Sequence, residues 1–313
     1  MIEDLVTGGA GFIGSNLAER LVAERGAVRV LDDLSTGHRE NLAHLGDRVE
    51  LLVGSVTDPQ AVAQATRGVR RVYHLAAMVA VERTCAEPVL AEEVNVLGTL
   101  RVLEAARAAG AERFVLASSA AIYGDQPALP QVEDAVPRPI SPYGVTKAAG
   151  EHYVRFYARQ HGLRGVSLRF FNVFGRRQDP RSPYAAVIPR FLDALLAGTP
   201  PVIFGDGRQT RDFCPVEDVV DACFRAATVE GAGDGEAINV GRGEEIDLLR
   251  LLGWLADALG VPARPRFAAA RPGDIVRSVA DVRRARERLR FAPLEPLSEA
   301  LARTARWYRE QQR

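Results

Sequence analysis

Lysine is all but missing from this chain: of 40 Lys and Arg residues among 313, the only lysine is Lys147. Arginine in such excess looks like the product of a GC-rich genome. The one retained amine is then either chance or a sign of a task that a guanidinium, broad and fixed in geometry, does not perform. Cysteine is also scarce. Cys85, Cys214 and Cys223 are far apart and form no CxxC pair, which argues against a disulfide framework or a metal site and leaves them as small core or loop residues. A charge excess is absent too, with Asp+Glu also at 40, so nothing overall draws the chain to nucleic acid or to an anionic membrane. No apolar run approaches the roughly 18 residues of a membrane span, and MIEDLVTGG enters a strand and turn at once. A reducing, cytoplasmic setting is expected.

What the chain does have is length and rhythm. Its 47 % hydrophobic and 26 % charged content is that of a globular protein large enough for two lobes. Short apolar runs near 2–7, 28–31, 49–53, 72–75, 114–117 and 166–170 alternate with stretches long enough for crossover helices, such as SNLAERLVAERG and NVLGTLRVLEAARAAG. That pattern predicts an α/β fold, a Rossmann-type doubly wound parallel sheet covered on both faces. After Asn172 the rhythm breaks into GRRQDPRSP and GTPPVIFGDGRQ, with helices expected near 217–227, 248–259, 281–289 and 297–309. The expected division is a dinucleotide-binding domain over 1–172, with segments near 213–241 packing back onto it, and a smaller C-terminal substrate-binding lobe over 173–313. Such a lobe would close over the carboxyl edge of the sheet, where open α/β sheets bind ligands.

The first strand runs into LVTGGAGFIGSNLAERL, which sets Gly8, Gly9, Gly11 and Gly14 between a strand and an amphipathic helix. Glycine permits the tight turn and lets the backbone approach a pyrophosphate, while the helix start offers unpaired N–H groups. The second strand ends in VRVLDDLS, with Asp32 18 positions after Gly14. An acid there accepts both ribose hydroxyls and repels a 2′-phosphate, which favours NAD over NADP. Asp33 suits either a cap or an adenine contact.

SPYGVTK reads as a helix start, with Ser141 as N-cap and Pro142 at the first helical position. Tyr143 and Lys147 then stand one turn apart on one face. Alone, a YxxxK spacing is as compatible with ordinary packing. The dinucleotide signature upstream, the uniqueness of the lysine and LASSAAIYG, which delivers Ser118 and Ser119 to the sheet edge, shift the balance toward proton abstraction from an alcohol beside a hydride acceptor. Bringing a tyrosine from ~10 to ~7 takes about 4 kcal/mol at about 1.36 kcal/mol per unit. One cation about 5 Å away supplies about 3 kcal/mol at an effective dielectric near 20, so Lys147 and an oxidised nicotinamide together are expected to lower the phenol, less the cost of burial.

On TGGAGFIG, YHLAA, NVLGT, SSAAIYG, SPYGVTK, RFFNVFG, GDGRQTRDF and RPGD, the chain resembles the extended short-chain dehydrogenase/reductase family over nearly its whole length. Within that family it is most similar to the nucleotide-sugar 4-epimerases that act on UDP-galactose and UDP-N-acetylglucosamine. The resemblance implies Ser119, Tyr143 and Lys147 as catalytic residues. It implies a NAD site of Gly8, Gly11, Phe12, Ile13, Gly14, Asp32, Asp33, Ser55, Val56, Leu75, Ala76, Ala77, Ser118, Tyr143 and Lys147. For a nucleotide-diphosphate sugar it implies Ser119 on the 4-hydroxyl, Asn172, Arg211 and Arg271 on the diphosphate, Asp274 on the ribose, Val187, Val202 and Phe204 around the uracil, and Ser278 beside the sugar. Ser55 stands where many relatives carry an acid near the adenine, and Val79 where some carry a cofactor-contacting lysine.

The implied activity is NAD-dependent 4-epimerisation of a UDP-hexose, UDP-glucose/galactose and/or the N-acetylated pair, through a 4-keto sugar. A 4,6-dehydratase would need an acid and a base where this chain has Ala120 and Ala121. A UDP-glucuronate 4-epimerase stays open, although two alanines offer a carboxylate little support. A scaffold protein on the same fold would have little need of the Ser–Tyr–Lys trio. Ser278 is small where hexose-restricted enzymes are bulky, which favours N-acetylhexosamine tolerance. The family likeness also implies a homodimer through the helices starting near Glu92 and Tyr143.

Overall fold

The computed structural model of the chain describes residues 2–179, 186–270 and 275–311. Strands β1 (Asp4–Thr7), β2 (Val28–Asp32), β3 (Val49–Val53), β4 (Arg71–His74), β5 (Arg113–Ser119), β6 (Arg164–Phe170) and β7 (Asp234–Val240) form one sheet in the order β7-β6-β5-β4-β1-β2-β3, and every pairing in it is parallel. The order reverses between β1 and β4, which opens a crevice at the carboxyl ends of those strands. The first six strands match the apolar runs of the sequence. The seventh was not among them: glycines at 231 and 233 precede it and Gly235 interrupts its start, where the register shifts between Asp234 and Glu236, and its pairing with β6 is supplied by tertiary structure.

Strand periodicity decides which helix covers which face. Val6, Val30, Tyr73, Val115 and Leu168 point to one side, where they pack with α1 (Phe12–Arg25), a later helix over Val216–Thr228 and another over Arg283–Leu289. Leu5, Leu31, Val72, Phe114 and Leu116 point to the other and meet α2 (Pro59–Thr66), α3 (Gly98–Ala108) and α4 (Pro142–His161). With both faces covered, the strands are mostly apolar, as parallel strands usually are; exceptions such as Arg71, His74 and Arg169 are buried with polar partners. The two sheet-covering helices over Val216–Thr228 and Arg283–Leu289 are α6 and α8. A separate core is built by α5 (Val187–Leu196), α7 (Leu248–Leu259) and α9 (Leu297–Gln311): Ile188, Phe191 and Leu195 of α5, Leu251 and Leu255 of α7, and Leu301 and Tyr308 of α9 pack with Ile203 and Phe213.

The seam between these two cores passes through Asp212, which is fully buried. Its Oδ1 accepts from the Arg242 amide (2.8 Å), and its Oδ2 accepts from the amides of Gly243 (2.9 Å) and Ala280 (3.1 Å). The Asn172 side chain donates to the Asp212 carbonyl at 3.1 Å. The carboxylate therefore gathers the end of β7 and the 278–281 segment, and the backbone carbonyl of the same residue ties in the exit of β6. Burial pushes the pKa of the carboxyl up to about 6, while the three amides pull the other way. Asp212→Ala leaves those amides without an acceptor at roughly 1–3 kcal/mol each, so a denaturant titration should show a loss of about 3–9 kcal/mol.

Candidate active site

β1 ends at Thr7 and turns through Gly8 into α1. Gly8 has φ +69°, and a Cβ there would stand 2.7 Å from the Ala76 amide nitrogen; a Cβ on Gly14 would stand 2.1 Å from the Gly8 carbonyl oxygen. Both positions therefore require glycine. α1 begins after Gly11 with no side-chain cap and no acid in its first turn, so no side chain competes for the N–H groups at Phe12, Ile13 and Gly14. At the end of β2, Asp32 is buried. Its Oδ2 accepts from the Ala10 amide (2.8 Å) and its Oδ1 from the Leu34 amide (2.9 Å), which fixes the carboxylate and leaves each oxygen a second lone pair. Burial raises its pKa, and the two amides oppose the rise. A bare helix start, a turn with no room for a side chain and a pinned acid are what a dinucleotide needs at its pyrophosphate and ribose, so the residues fit NAD.

Other expected cofactor residues divide. Leu75, Ala76 and Ala77 form a half-buried ledge, with the Leu75 amide donating to the Thr7 carbonyl (3.1 Å) and the Ala76 amide to Thr7 Oγ1 (3.3 Å). Asp33 serves as a cap: its Oδ1 accepts from the Ser35 amide (2.9 Å) and hydroxyl (2.6 Å). Ser55 Oγ accepts from the Thr57 amide (3.1 Å). The Val56 side chain lies in the core against Gly98, so only its backbone is open to a ligand.

β5 carries two serines to the sheet edge, and they turn to different tasks. The Ser119 hydroxyl accepts from the Ala121 amide (3.1 Å) and hydrogen-bonds Tyr143. The Ser118 hydroxyl donates to Glu151 Oε1 at 2.5 Å, which leaves its backbone as the part open to a cofactor. α4 starts as its sequence foretold, with Ser141 Oγ accepting from the Gly144 amide (3.2 Å) and proline at the first position. Lys147 is buried, donates to the Ala117 carbonyl at 2.8 Å and lies 5.6 Å from the centre of the Tyr143 ring.

Burial pushes Lys147 down to about 8, with Glu151 opposing. Burial holds the Tyr143 phenol above its ordinary value, and the Ser119 hydrogen bond opposes that rise without reversing it. In the chain by itself, the cost of burial therefore dominates both groups.

Asn172, Val187, Val202, Phe204 and Arg211 line a single cavity of about 370 Å³ together with Arg190, Gln209, Phe213 and Leu248. Arg190, one turn into α5, lies in no motif quoted above, while Gln209, which donates to the Phe204 carbonyl at 2.7 Å, lies within GDGRQTRDF and was passed over in favour of Arg211. Ser278 is buried and does not line this cavity. Arg271 and Asp274 lie outside the described residues. Arg176 pairs with Glu19 of α1 at 3.1 Å and Arg177 pairs with the same carboxylate, so both brace the loop after β6 against α1. Among the described residues no cluster could hold a metal ion, and no helix is long and apolar enough to cross a membrane.

Residues 5–241 match the model of the NAD dependent epimerase/dehydratase family. The chain belongs to this family. It is 43% identical to a UDP-glucose 4-epimerase of Mycolicibacterium smegmatis over 97% of this chain and 98% of that one. Among solved structures it is similar to UDP-N-acetylglucosamine 4-epimerase from Methanobrevibacter ruminantium in complex with UDP-N-acetylmuramic acid, with a TM-score of 0.94, 35% identity and coverage of 99% and 100% of the two chains. The UDP-glucose 4-epimerase of Thermotoga maritima with UDP-glucose gives the same TM-score of 0.94 at 35% identity, covering 100% of both chains.

A buried polar chain braces this site, built in part from motifs to which sequence reading assigned no task. Thr7 Oγ1 meets His74 Nδ1 at 2.7 Å, and His74 Nε2 meets Thr99 Oγ1 at 2.9 Å. Thr99 donates its own proton to the Asn95 carbonyl at 2.5 Å. It must therefore accept from His74, which assigns the Nε2–H tautomer. Burial pushes His74 down to about 3, so the ring is neutral. Asn95 in turn pairs with both backbone groups of Met78 (2.7 and 3.0 Å) and donates to Thr146 Oγ1 (3.0 Å), which donates to the Tyr143 carbonyl (2.9 Å). The ledge and the start of α4 are thus tied together through side chains of YHLAA and NVLGT.

The lowered Lys147 value has a definite linkage. Between pH 8 and the ordinary lysine range near ~10.4, the unfolded chain keeps a proton that the folded chain has lost, so this group makes stability rise with pH. Measured by urea unfolding, wild type should gain on Lys147→Met by about 2–3 kcal/mol between pH 7 and pH ~10; a difference that stays flat with pH would show that the ammonium is solvated.

Proposed function

We propose that the chain is an NAD-dependent nucleotide-sugar 4-epimerase that acts on UDP-hexoses, the glucose/galactose pair and/or the N-acetylglucosamine/N-acetylgalactosamine pair, through a 4-keto sugar. The observation that carries the proposal is the meeting of Ser119, Tyr143 and buried Lys147 beside the glycine turn, with alanine at 120 and 121. Bound NAD supplies reversible oxidation at the sugar's C4. Ser119 holds the 4-hydroxyl, and Tyr143 takes its proton as the alcohol is oxidised and returns it after the keto sugar has turned in the pocket. Lys147 orients the nicotinamide ribose; the cofactor's own positive charge then supplies the part of the phenol's activation that burial denies to the lysine alone. The wall of Val187, Val202 and Phe204 suits the uracil, and Arg211 with Arg271 suits the diphosphate, since guanidinium binds phosphate oxygens in a fork. Asn172 and Asp274 complete the nucleotide contacts, and Ser278 leaves room near the sugar. In this division 1–172 with the 213–241 segments holds the cofactor, and the remainder holds the substrate.

A 4,6-dehydratase reading, which the family name allows, finds no proton-transfer group at Ala120 or Ala121. Proton NMR of UDP-glucose, UDP-N-acetylglucosamine and UDP-glucuronate incubated with the protein should show C4 epimers of the first, the second or both. Loss of the C6 hydroxymethyl signals instead would establish the dehydratase. Tyr143→Phe should lower turnover by about 10³-fold, within the range for a lost general acid–base group, and normal turnover in that variant would end the assignment.

Exposed Val89, Leu97, Val145 and Phe156 on the 88–97 helices and α4 support a homodimer through this face. Sedimentation velocity should give a dimer that Phe156→Arg splits; a wild-type monomer across the concentration range would exclude it. Three free thiols accord with a cytoplasmic location.

A further inference from the structure

Beneath the reacting groups lies a buried ion pair to which the mechanism above assigns no part. Glu151, one turn beyond Lys147 on α4, accepts from Arg169 of β6 in a fork, Nε to Oε1 at 2.9 Å and Nη2 to Oε2 at 2.8 Å, and accepts the Ser118 hydroxyl proton at 2.5 Å. Both side chains are buried. Arg169 is anchored in turn, donating to Tyr123 Oη (2.8 Å) and the Glu133 carbonyl (3.0 Å), and its guanidinium lies 4.9 Å from the centre of the Tyr123 ring. Tyr123 donates to Asn239 of β7 at 2.6 Å. A carboxylate four residues from a lysine on a helix would ordinarily pair with it. Here Ser118 and Arg169 occupy both positions on Oε1 and Arg169 one on Oε2, and among the described residues no ion pair joins Lys147 to a carboxylate.

We propose that Glu151 and Arg169 are a charge-compensating pair, positioning residues that hold Lys147 as an ammonium free of any carboxylate beside Tyr143. This rests on the 4-epimerase reading. The fork neutralises Glu151 in place, so the acid does not draw Lys147 away from the Ala117 carbonyl and the cofactor side. The other titratable groups around Lys147 add little charge. His74 of β4 is neutral, and Tyr123 and Glu133 belong to the same network. Glu82, Glu87, Glu92 and Glu93 of the 81–97 helices and His152, Arg155 and Arg159 of α4 are exposed. Arg83 pairs with Glu87, and Glu104 and Arg107 of α3 pair with each other at the surface.

Removing one member should act in opposite senses. Glu151→Gln bares the guanidinium, which repels the Lys147 proton and steadies a Tyr143 phenolate, so the pH profile of kcat should move down by about one unit. Arg169→Gln bares the carboxylate and should move it up by a similar amount. Glu151→Gln/Arg169→Gln should return the profile to its wild-type position, and Arg169→Lys, which keeps the charge, should leave it there whatever the rate. Tyrosinate absorbance of the cofactor-free protein, taken as the difference from each Tyr143→Phe counterpart, should shift in the same directions. If Arg169→Gln does not fold, the downward shift in Glu151→Gln and its reversal in the double variant decide the matter. Rates that fall with no displacement of either titration would reduce the pair to a structural brace. A wild type that epimerises no UDP-sugar would overturn the epimerase reading, while the absorbance shifts would still test the pair.

Discussion

A single ammonium shut away from water is the constraint around which the rest of this site is arranged. Lys147 has one strong acceptor, the Ala117 carbonyl, and pays for its burial with a lowered affinity for its proton. A guanidinium would demand several acceptors spread in a plane, and the end of β5 offers one. That is the physical content of the lone lysine: the space between β5 and α4 fits a compact donor, and arginine, used everywhere else in the chain, does not match it.

Around that cation the fold holds distances fixed by means that carry little side-chain freedom. Gly144 lets α4 start against the Ala121 carbonyl, where a Cβ would stand 2.6 Å away. Asn95 and Thr146 tie the same helix to the cofactor ledge through buried hydrogen bonds, and neutral His74 continues the tie to β1. Satisfied buried polar groups of this kind specify one arrangement, because each alternative leaves a donor or acceptor unpaired. The glycine turn and the Tyr143–Lys147 helix therefore belong to one rigid frame, and the proposed function leaves substrate recognition to the second core and its cavity.

Sequence made the local features legible and left the long-range ones hidden. The glycine turn, the Ser141–Pro142 helix start and the first six strands follow from spacing and residue type within a few positions. β7 did not, because its strand character comes from pairing with β6. The hydroxyls of Ser118 and Ser119 part for a reason the sequence already holds: strand alternation turns neighbouring side chains to opposite faces, and that rule, applied to LASS, separates the two. Glu151 and Arg169 were invisible for a different reason: they are 18 residues apart in sequence, and a charged residue on a helix or strand usually faces solvent.

The proton balance of the site follows from these constraints. In the chain alone, burial keeps the Tyr143 phenol protonated and loosens the proton on Lys147. Both effects penalise charge, so the resting pair is held back from the phenolate–ammonium form that proton abstraction requires. In the proposed epimerase reading, a cationic cofactor group beside Tyr143 would favour the phenolate by direct attraction, and ribose hydroxyls at Lys147 would give the ammonium further acceptors and favour its charged form. Both halves of the activated pair would then be completed by the same ligand, and a sugar reaching the site before the cofactor would meet a tyrosine that still holds its proton.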